Sequence, residues 1–378
     1  MTPKTETDLA EMIMAADAPL RVQGGGTRPI GHARAGDTIS TAALTGIELY
    51  EPGALTIVAK AGTPLEDIDA ALAAEGQRLA FEPMDHRALL GTTGTPTVGG
   101  MVATNASGPR RIQVGACRDS LLGVKFVDGR GQHISNGGRV MKNVTGYDLV
   151  KLMAGSYGTL GVLTEVALKV LPRTETESTL ILHGADTSNA VAAMSAALGS
   201  PYEVTGAAHI PLTADDQADT LLRIEGSQAS VAYRLGELKS ILAQFGDLND
   251  VHGEPSRQAW QRIRDVDLLA DATGDVWRVS IKPTDAPDIV AKLGEDAQLQ
   301  LDWGGGLIWA CVPSGTDLRA HLGAFQGHAT LIRASADSQQ PLPTFHPQPA
   351  PLMQLEHGLR ARFDPRGILN AGMMGHAA

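Results

Sequence analysis

The chain has 378 residues, of which 43% are hydrophobic and 19% charged, and its formal net charge is -11 at pH 7. This length is sufficient for two or three domains with a sizeable core. The acidic charge argues against a nucleic-acid ligand, because binding to phosphates depends on clustered Lys and Arg.

The two cysteines, Cys117 and Cys311, are far apart in the sequence. Two separated thiols fit a reducing compartment and exclude a disulfide framework. They are also too few for an iron–sulfur cluster held by four thiolates. The sequence contains no apolar run of 18 residues and no basic leader followed by an apolar core. We therefore expect neither secretion nor a membrane span.

The first predicted elements are a helix over about Thr7–Ala16 and a short strand over Leu20–Gln23. The strand runs directly into the GGGT stretch of Gly24–Thr27. Ordering three successive glycines costs about 1–3 kcal/mol more than ordering three alanines, so an ordered triple glycine needs compensation. Backbone N–H groups turned onto a phosphate would supply it. A flexible turn is the alternative explanation.

A strand over Leu55–Lys60 precedes a helix with strong boundary signals. Thr63, Pro64 and Glu66 predict a capping box with proline at the first helical position. Gly76 is placed to end the helix. This strand–helix unit leads toward the next glycine-rich stretch.

That stretch, Gly94–Arg111, combines glycines with short polar side chains, and it continues to Asp119. Small residues let a backbone approach a ligand closely, and short hydroxyl and amide groups can bind it. We interpret the stretch as a wall against a flat, polar cofactor. A mobile surface loop is the alternative, but the apolar Met101 and Val102 within it argue against a purely solvated loop.

Farther along, Leu121–Val127 and Gln132–Ser135 predict a hairpin, which a fold built only of parallel strands and helices would not contain. A short helix then ends near Gly155, and a strand over Val162–Leu171 follows. The glycines between them resemble a dinucleotide fingerprint. However, they follow a helix and enter a strand, which reverses the order of a Rossmann site.

The middle of the chain predicts two ferredoxin-like halves around a helix over Ser256–Leu269. The predicted elements are Thr179–His183, Ser188–Leu198, Tyr202–His209, Thr220–Glu225 and Val231–Phe245 in the first half, and Val276–Ile281, Pro287–Leu293, Leu299–Trp303, Leu307–Val312, Asp317–Phe325 and Ala329–Arg333 in the second. Five prolines from Pro341 to Pro351 predict an extended linker. Leu352, Leu355, Leu359 and Phe363 then predict a helix that docks the C-terminus back onto the first part of the chain.

Six segments together carry a family resemblance. They are GGGT (Gly24–Thr27), TVGGMVATNASG (Thr97–Gly108), GACRD (Gly115–Asp119), KNVTGYDLVKL (Lys142–Leu152), GSYGTLGVLTE (Gly155–Glu165) and DPRGILNAG (Asp364–Gly372). In this order they resemble the FAD-binding domain of the vanillyl-alcohol oxidase and p-cresol methylhydroxylase (PCMH) family, and within it the FAD-binding subunits of bacterial glycolate oxidases.

The resemblance covers about residues 1–172 and 350–378 well, and the middle in outline only. It implies an α+β fold with a PCMH-type FAD-binding domain of two α/β subdomains over residues 1–172. A cap domain of two ferredoxin-like halves with an antiparallel sheet is implied over residues 173–340. Residues 341–378 are implied to be a linker and a C-terminal segment that returns to the FAD domain.

The resemblance also assigns roles to matching letters. The implied pyrophosphate residues are Gly24, Gly25, Gly26 and Thr27. Those implied to line the diphosphate, ribityl and flavin region are Thr97, Gly99, Gly100, Thr104, Asn105, Ser107 and Gly108. Those implied to meet the adenosine half are Gly158, Thr159, Gly161 and Val162, while Asn370 is implied to lie near the isoalloxazine ring. Packing of turns is the alternative role for the outer glycines.

Relatives that tether flavin covalently often carry a histidine in the phosphate loop. Here Thr27 and Arg28 occupy that place, so the resemblance implies non-covalent, dissociable FAD. Catalytic residues remain unknown from the sequence. A hydroxy-acid site needs a clamp for the carboxylate. Arg278, Lys282 and Arg333 are candidates for it, with a solvated sheet face as the alternative.

No metal site is predicted, because the histidine pattern with which self-sufficient relatives bind metal is missing. The histidines of the middle region are isolated in sequence, and an isolated histidine is more often a surface or satisfied residue. They are His183, His209, His252, His321 and His328.

The resemblance implies a FAD-binding subunit of a complex that oxidises glycolate or a related 2-hydroxy acid to the 2-oxo acid. The implied partners are a related catalytic flavoprotein subunit, an iron–sulfur subunit and the small 2-hydroxy-acid substrate. The implied location is cytoplasmic, with contact to the inner membrane only indirect, through the complex. Two alternatives stay open: a self-sufficient FAD-dependent D-2-hydroxy-acid dehydrogenase, and a scaffold subunit without cofactor.

Overall fold

A computed structural model describes residues 1–31, 36–139, 146–212, 217–335 and 342–374. The first four residues of the KNVTGYDLVKL motif and Pro341 of the predicted linker lie outside these ranges. The helices are α1 (Glu6–Ala15), α2 (Leu65–Ala74), α3 (Arg87–Leu90), α4 (Val98–Ala103), α5 (Arg111–Val114), α6 (Cys117–Ser120), α7 (Leu149–Met153), α8 (Thr187–Leu198), α9 (Gln228–Leu242), α10 (Glu254–Asp265), α11 (Ala286–Leu293), α12 (Leu318–Leu322) and α13 (Ala350–Phe363).

The strands are β1 (Leu20–Gln23), β2 (Asp37–Ser40), β3 (Ile47–Glu51), β4 (Thr56–Lys60), β5 (Gln77–Arg78), β6 (Leu121–Val127), β7 (His133–Gly137), β8 (Val162–Lys169), β9 (Leu171–Pro172), β10 (Thr176–His183), β11 (Gly206–Ile210), β12 (Asp219–Gly226), β13 (Leu248–His252), β14 (Asp275–Ile281), β15 (Gln298–Asp302), β16 (Leu307–Val312) and β17 (Gly327–Arg333). The mixture of helices and antiparallel sheets confirms the predicted α+β class.

The first part of the chain is organised on a five-stranded sheet of order β3-β4-β8-β6-β7, with antiparallel pairing throughout. The predicted hairpin is confirmed, because β6 pairs with β7 and Val127 lies opposite His133. A separate parallel pair joins β1 to β2, with Leu20 opposite Asp37. Because β1 lies outside the large sheet, the glycine stretch that follows it is free to pack on the loop that precedes α4.

The start of α2 differs from the prediction. The helix begins at Leu65 with Pro64 as its N-cap, and no side chain caps it. The Thr63 hydroxyl instead pairs with both backbone groups of Gly46, at 3.0 and 3.1 Å. The capping box is therefore wrong, because a tertiary contact takes the hydroxyl that would have capped the helix. The predicted end is confirmed: Gly76 follows the C-cap with φ +64.

The middle of the chain forms one eight-stranded sheet of order β13-β10-β12-β11-β15-β16-β14-β17. Each half of the sheet is one βαββαβ unit. Its strands lie side by side in the order fourth, first, third, second, which is β13-β10-β12-β11 in one half and β17-β14-β16-β15 in the other. This is the strand order of a ferredoxin-like fold. The halves meet through β11 and β15, where His209 lies opposite Leu301. The two predicted halves are thus confirmed. The sequence reading missed β13, whose LNDVH sequence forms a polar edge strand.

The two faces of this sheet have different neighbours. Helices α8, α9, α11 and α12 cover one face and form the largest apolar cluster, to which Trp277 and Val279 of β14 belong. Because side chains alternate along a strand, Val276 points the other way. There it packs in a second cluster with Ile30 and Met373. This second cluster joins the sheet to the first part of the chain.

A buried ion-pair network reinforces the same junction. Arg223 binds Glu82 through two nitrogens, at 2.9 and 2.8 Å. Arg110 likewise binds Glu225 at 2.8 and 2.6 Å, and Arg78 adds a contact of 2.7 Å to Glu225. Bidentate pairing satisfies charges that would otherwise be costly to bury. The network therefore fixes how the sheet sits on the first part.

The C-terminal helix α13 forms as predicted, beginning at Ala350 and ending at Phe363, but the prediction that it docks is wrong for three of its four residues. Leu352, Leu355 and Leu359 are 48%, 66% and 41% exposed. The prediction is confirmed for Phe363, whose ring packs near Phe126 in the first part of the chain with centroids 6.0 Å apart. Residues after the helix make the return to the first part of the chain, because the buried Ile368 and Leu369 lie in the apolar cluster of α1.

Within the described ranges, no helix combines the length and the apolar character that crossing a bilayer requires.

Candidate functional site

The glycine stretch after β1 packs directly against the loop before α4. A Cβ on Gly25 would lie 1.7 Å from the carbonyl oxygen of Thr95, and a Cβ on Gly24 would lie 2.3 Å from Oγ1 of Thr97. Gly26 differs, since it has φ +75 and a Cβ there would meet no atom within 4 Å. Two of the three glycines are thus needed for packing between loops, and the third borders open space.

The wall that faces this stretch is the short helix α4. Thr97 is its N-cap, and the Thr97 side chain accepts a hydrogen bond from the N–H of Gly100. Gly99 approaches Ala61 so closely that an added Cβ would lie 2.6 Å from the Ala61 Cβ. Thr104 ends the helix by donating its hydroxyl proton to the Gly100 carbonyl at 2.8 Å. Backbone and short side chains therefore form this wall.

A third segment reaches the same place from the turn between α7 and β8. Gly158 has φ +70, and an added Cβ would lie 3.0 Å from Nδ2 of Asn370. That Nδ2 donates to the carbonyl of Tyr157 at 2.7 Å, and Oδ1 of Asn370 accepts from the N–H of Val22 at 2.8 Å. Asn370 thereby ties the C-terminal segment to both the end of β1 and the Tyr157 turn.

These segments enclose a cleft with about 1170 Å³ of space, which includes open solvent. Twelve of the sixteen predicted cofactor residues line it: Gly24, Gly25, Gly26, Thr27, Thr97, Gly99, Gly100, Thr104, Gly158, Gly161, Val162 and Asn370. The other lining residues are Arg21, Val22, Gln23, Arg28, Pro29, Ile30, Thr41, Ala103, Tyr157, Leu163 and Met373. The described lining thus contains two arginines and no acidic side chain, which suits an anionic diphosphate.

The remaining four predicted residues lie outside the lining. Asn105 accepts a hydrogen bond from the N–H of Arg118, and the Ser107 hydroxyl accepts one from the N–H of Cys117. A Cβ on Gly108 would lie 2.4 Å from the carbonyl oxygen of Glu82. The hydroxyl of the buried Thr159 donates to the carbonyl of Ser156 at 2.7 Å. These contacts shape the loops behind the cleft, and a direct role of the four residues toward a cofactor stays a prediction.

The resemblance placed Arg28 in the phosphate loop without giving it a binding role, and no pattern predicted Tyr157 as a site residue. The Arg28 guanidinium donates to Nδ1 of His86 at 3.2 Å and to the carbonyl of Met84 at 3.3 Å. Burial lowers the pKa of Arg28 to about 10, although Asp85 partly offsets this effect. Burial also lowers the pKa of His86 to about 3. His86 is therefore neutral, and its Nδ1 can accept a hydrogen bond from Arg28. Adjacency to the glycine motifs was the available signal for both missed residues.

The three candidate carboxylate binders have different environments. Arg333 is committed to the backbone, because it donates to the carbonyls of Leu89, Ala270 and Ala272. Lys282 follows β14 at the start of a 3-10 turn. Arg278 lies in the middle of β14, with its guanidinium 5.1 Å from the ring centroid of Trp303.

The histidines of the middle region are spread over the eight-stranded sheet and helix α12 rather than gathered. His183 contacts Asp219 and Asn249, and His252 contacts Ser178 and Asp250. His209 is buried beside Thr220, His321 contacts the carbonyl of Lys292, and His328 is exposed on β17. Within the described ranges, no group of three or more His, Cys, Asp or Glu side chains could hold a metal ion.

Comparisons with known proteins agree with this geometry. A family model described as a FAD binding domain matches residues 1–137. The chain is 36% identical over 360 residues to the glycolate oxidase subunit GlcE of Escherichia coli (strain K12), covering 94% of this chain and 92% of that protein. A D-lactate dehydrogenase of Archaeoglobus fulgidus is 35% identical over 158 residues, or 41% of this chain and 34% of that protein.

Among solved structures, an alkyldihydroxyacetonephosphate synthase matches with a TM-score of 0.69 and 16% identity, over 98% of this chain and 75% of that one. At this identity, the match concerns the fold alone. Sequence identity over most of both chains shows the family. The chain therefore belongs to the PCMH-type FAD-binding family, in the group of glycolate oxidase subunits related to GlcE.

Proposed function

We propose that this chain binds FAD non-covalently in the cleft and serves as the FAD-binding subunit of a complex that oxidises glycolate or a related 2-hydroxy acid. One observation carries the proposal: three glycine-containing segments, from β1, α4 and the Tyr157 turn, converge on a single cleft, and the described residues that line it include no acidic side chain. Bound FAD would supply the acceptor for a hydride equivalent from the hydroxy acid.

The chain's own residues would hold the cofactor in the following way. Backbone N–H groups of Gly24–Thr27 and the Thr97–Thr104 wall would hold the diphosphate, with the cationic Arg21 and Arg28 supplying charge. The turn from Gly158 to Val162 would meet the adenosine half. Asn370 would lie toward the flavin end, where it holds β1 and the C-terminal segment together.

We also propose the domain division of residues 1–172, 173–340 and 341–378. Its support is that the strands of the five-stranded sheet lie between residues 47 and 169, whereas those of the eight-stranded sheet lie between residues 176 and 333. After residue 342 the described chain contributes α13 and the segment that carries Asn370.

The visible absorption spectrum of the purified chain tests the cofactor. We expect a flavin spectrum, or its recovery after incubation with FAD, and release of all the flavin when the protein is denatured. Flavin that stays with the denatured chain would show covalent attachment. A colourless chain that cannot be reconstituted would favour the scaffold alternative.

The relatives named GlcE and GlcD are both called subunits of glycolate oxidase, which supports a multi-subunit complex. We propose a related flavoprotein and an iron–sulfur protein as partners. The two cysteines of this chain cannot hold a four-thiolate cluster, so a cluster of that type in the complex would belong to another subunit. We further propose a cytoplasmic location, with membrane contact only through the complex. Purification from the native host should recover a larger homologous flavoprotein and a cysteine-rich subunit.

The self-sufficient dehydrogenase remains a second candidate, because D-lactate dehydrogenases also align with this chain. Anaerobic addition of glycolate to the isolated FAD-loaded chain distinguishes the partner-dependent subunit from the self-sufficient dehydrogenase. Slow or absent bleaching of the flavin is expected for a subunit that depends on its partner. Rapid bleaching would assign the oxidation to this chain alone.

A further inference from the structure

Trp303 lies at the junction between the eight-stranded sheet and the glycine-rich wall. It follows β15 with φ +54, a conformation that is unusual for a large side chain. Its indole N–H donates to the carbonyl of Gly108 at 3.2 Å. Trp303 is therefore held in a strained conformation by a contact between two distant parts of the chain, and such strain often accompanies a functional site.

Two guanidinium groups stack on this indole ring. The guanidinium carbon of Arg111 lies 4.4 Å from the ring centroid, and that of Arg278 lies 5.1 Å from it. Arg111 begins α5, next to the glycine-rich wall, whereas Arg278 belongs to β14. Cation–π contact orients such groups and leaves their N–H donors available in the plane of each guanidinium.

Neither guanidinium has a hydrogen-bonding or ion-pairing partner among the residues that the structure describes. The adjacent Arg110 shows the contrast, because its guanidinium forms two hydrogen bonds to Glu225. Burial lowers the pKa of Arg278 to about 10. The two cations repel each other, and Asp302 near Arg278 and Asp119 near Arg111 offset their charges only in part, since neither carboxylate forms an ion pair with them among the described residues. Such partly desolvated cations are costly to maintain unless an anion joins them.

Asp302, the residue before Trp303, does not supply the full counter-charge for the two arginines. One oxygen of Asp302 accepts the backbone N–H of Trp303 at 2.7 Å. Burial raises the pKa of Asp302 to about 7, so a large fraction of this carboxyl is neutral near neutral pH. Asp302 therefore shapes the Trp303 turn, and its charge offsets that of Arg278 only in part.

Arg278 lies on the side of the cleft marked by Tyr157. Arg278 alternates with Trp277 and Val279 of the helix-covered core, so its side chain points to the opposite face of the sheet. That face carries the apolar cluster containing Ile30 and Met373, both of which also line the cleft. Tyr157, another lining residue, is in electrostatic range of both Arg278 and Arg28.

We infer that Arg111 and Arg278 form a binding site for the carboxylate of a small molecule, and that Trp303 is a positioning residue that holds both guanidiniums toward it. Each guanidinium can donate charge-assisted hydrogen bonds to the carboxylate oxygens. The identification of this carboxylate with that of the 2-hydroxy acid rests on the proposed function. The anion site itself depends only on the three residues and their surroundings.

Isothermal titration calorimetry of the full chain, loaded with FAD, with oxalate as the probe tests this inference. Oxalate carries carboxylates and no hydroxyl group to oxidise. We expect it to bind, and we expect Arg278→Gln and Arg111→Gln each to weaken binding by about 10- to 100-fold. The control Arg257→Gln makes the same charge change at a surface ion pair with Glu254, and it should bind as the parent does.

Two variants of Trp303 test its positioning role. Trp303→Phe keeps an aromatic face and should retain binding within about threefold, whereas Trp303→Leu should lose about tenfold. FAD content and melting temperature, measured on the same samples, show whether each variant is folded. Leucine and phenylalanine variants that bind oxalate equally well would remove Trp303 from the site.

Three results would overturn the assignment: no binding of oxalate by the parent, binding by Arg278→Gln as tight as that of the parent, or binding of inorganic phosphate as tight as that of oxalate. Failure of the proposed function is distinguishable from these results. A chain that takes up no FAD, but whose oxalate binding depends on Arg278 and Arg111, would keep the anion site and reject the flavin assignment.

Discussion

Asn370 and Val22 are 348 residues apart in sequence, yet the Asn370 side chain pairs with both backbone groups of Val22. Oδ1 accepts from the Val22 N–H at 2.8 Å, and Nδ2 donates to the Val22 carbonyl at 3.3 Å. A side-chain amide thus acts as an additional strand partner at the end of β1, where the glycine stretch begins. This geometry connects the C-terminal segment to one wall of the cleft.

Replacement of Asn370 should therefore weaken both the fold and the cleft. Asn370→Ala leaves the Val22 groups and the Tyr157 carbonyl without their partner, and we expect the free energy of unfolding to fall by about 2–4 kcal/mol. Flavin retention on gel filtration should fall with it. Asn370→Gly separates backbone strain from the loss of hydrogen bonds, because glycine suits φ +45 but lacks the amide. Full recovery by glycine would show that backbone strain, rather than the hydrogen bonds, was responsible.

The contact between Gly25 and Thr95 predicts a strong effect of one methyl group. Gly25→Ala would place Cβ 1.7 Å from a backbone oxygen, so the two loops must move apart. We expect a loss of at least about 2 kcal/mol in unfolding free energy and a large loss of FAD binding. Urea titration and flavin absorbance measure these effects.

Gly53→Ala provides the matched control for this substitution. Its Cβ would meet nothing within 4 Å, and Gly53 has no positive φ. It should behave as the parent does. Parent-like FAD binding by Gly25→Ala would contradict the described packing of the phosphate loop.

The buried ion pairs predict a loss of stability in acid. The Arg223 and Arg110 guanidiniums hold the pKa values of Glu82 and Glu225 below 4.5, against the effect of burial. The unfolded chain therefore binds more protons than the folded chain once the pH falls below about 4.5. The stabilisation by these carboxylates is complete above that pH, and it is lost progressively as the pH falls toward the folded-state pKa values.

Glu225→Gln tests this prediction because it removes the carboxylate that pairs with Arg78 and leaves Arg110 with Glu82 alone. We expect it to cost about 3–5 kcal/mol at pH 7, and the gap to the parent should narrow as the pH falls from 4.5 to 3. Urea unfolding over this range measures both quantities, with the exposed Glu11→Gln as the control. A constant gap between variant and parent at every pH would disprove the assignment of the acid sensitivity to this network.

Because the leucines of α13 are exposed, we expect substitutions of them to be tolerated, although the sequence pattern predicted that they would be buried. Leu355 is 66% exposed, so Leu355→Glu should change the unfolding free energy by less than about 0.5 kcal/mol. Phe363→Ala removes the ring that packs near Phe126 and should cost about 1–3 kcal/mol. Thermal or urea unfolding of the isolated chain compares the two. A large cost of Leu355→Glu would mean that this helix face is covered in solution.

The sequence predicted elements best where a local pattern matched the final environment. The spacing of apolar residues predicted α1, whose Leu9 and Ile13 are buried, and alternation predicted β8, most of whose residues are buried. It missed β13, whose LNDVH sequence has few apolar residues and is held mainly by hydrogen bonds to β10. An edge strand of this kind is specified by its pairing with a neighbouring strand, and its own sequence shows no alternation of apolar and polar residues.

The sequence by itself determined that three separate segments could pack closely through their backbones, because they consist of glycines and short polar residues. Only such residues allow an approach as close as that of Gly25 to Thr95. It also determined the two ferredoxin-like halves, through their repeated order of strands and helices. Only the tertiary structure decided that Thr63 would bind Gly46 instead of capping α2, and that the leucines of α13 would remain exposed.

The tertiary structure also decided which charges were paired. Arg110 and Arg111 are neighbours in sequence, yet one enters a buried ion pair with Glu225 while the other stacks on Trp303 beside Arg278. Glu225 and Trp303 are each more than 100 residues away from the arginine that they contact. No local pattern can specify such contacts, because they depend on how two sheets, each folded by its own periodicity, are placed against each other.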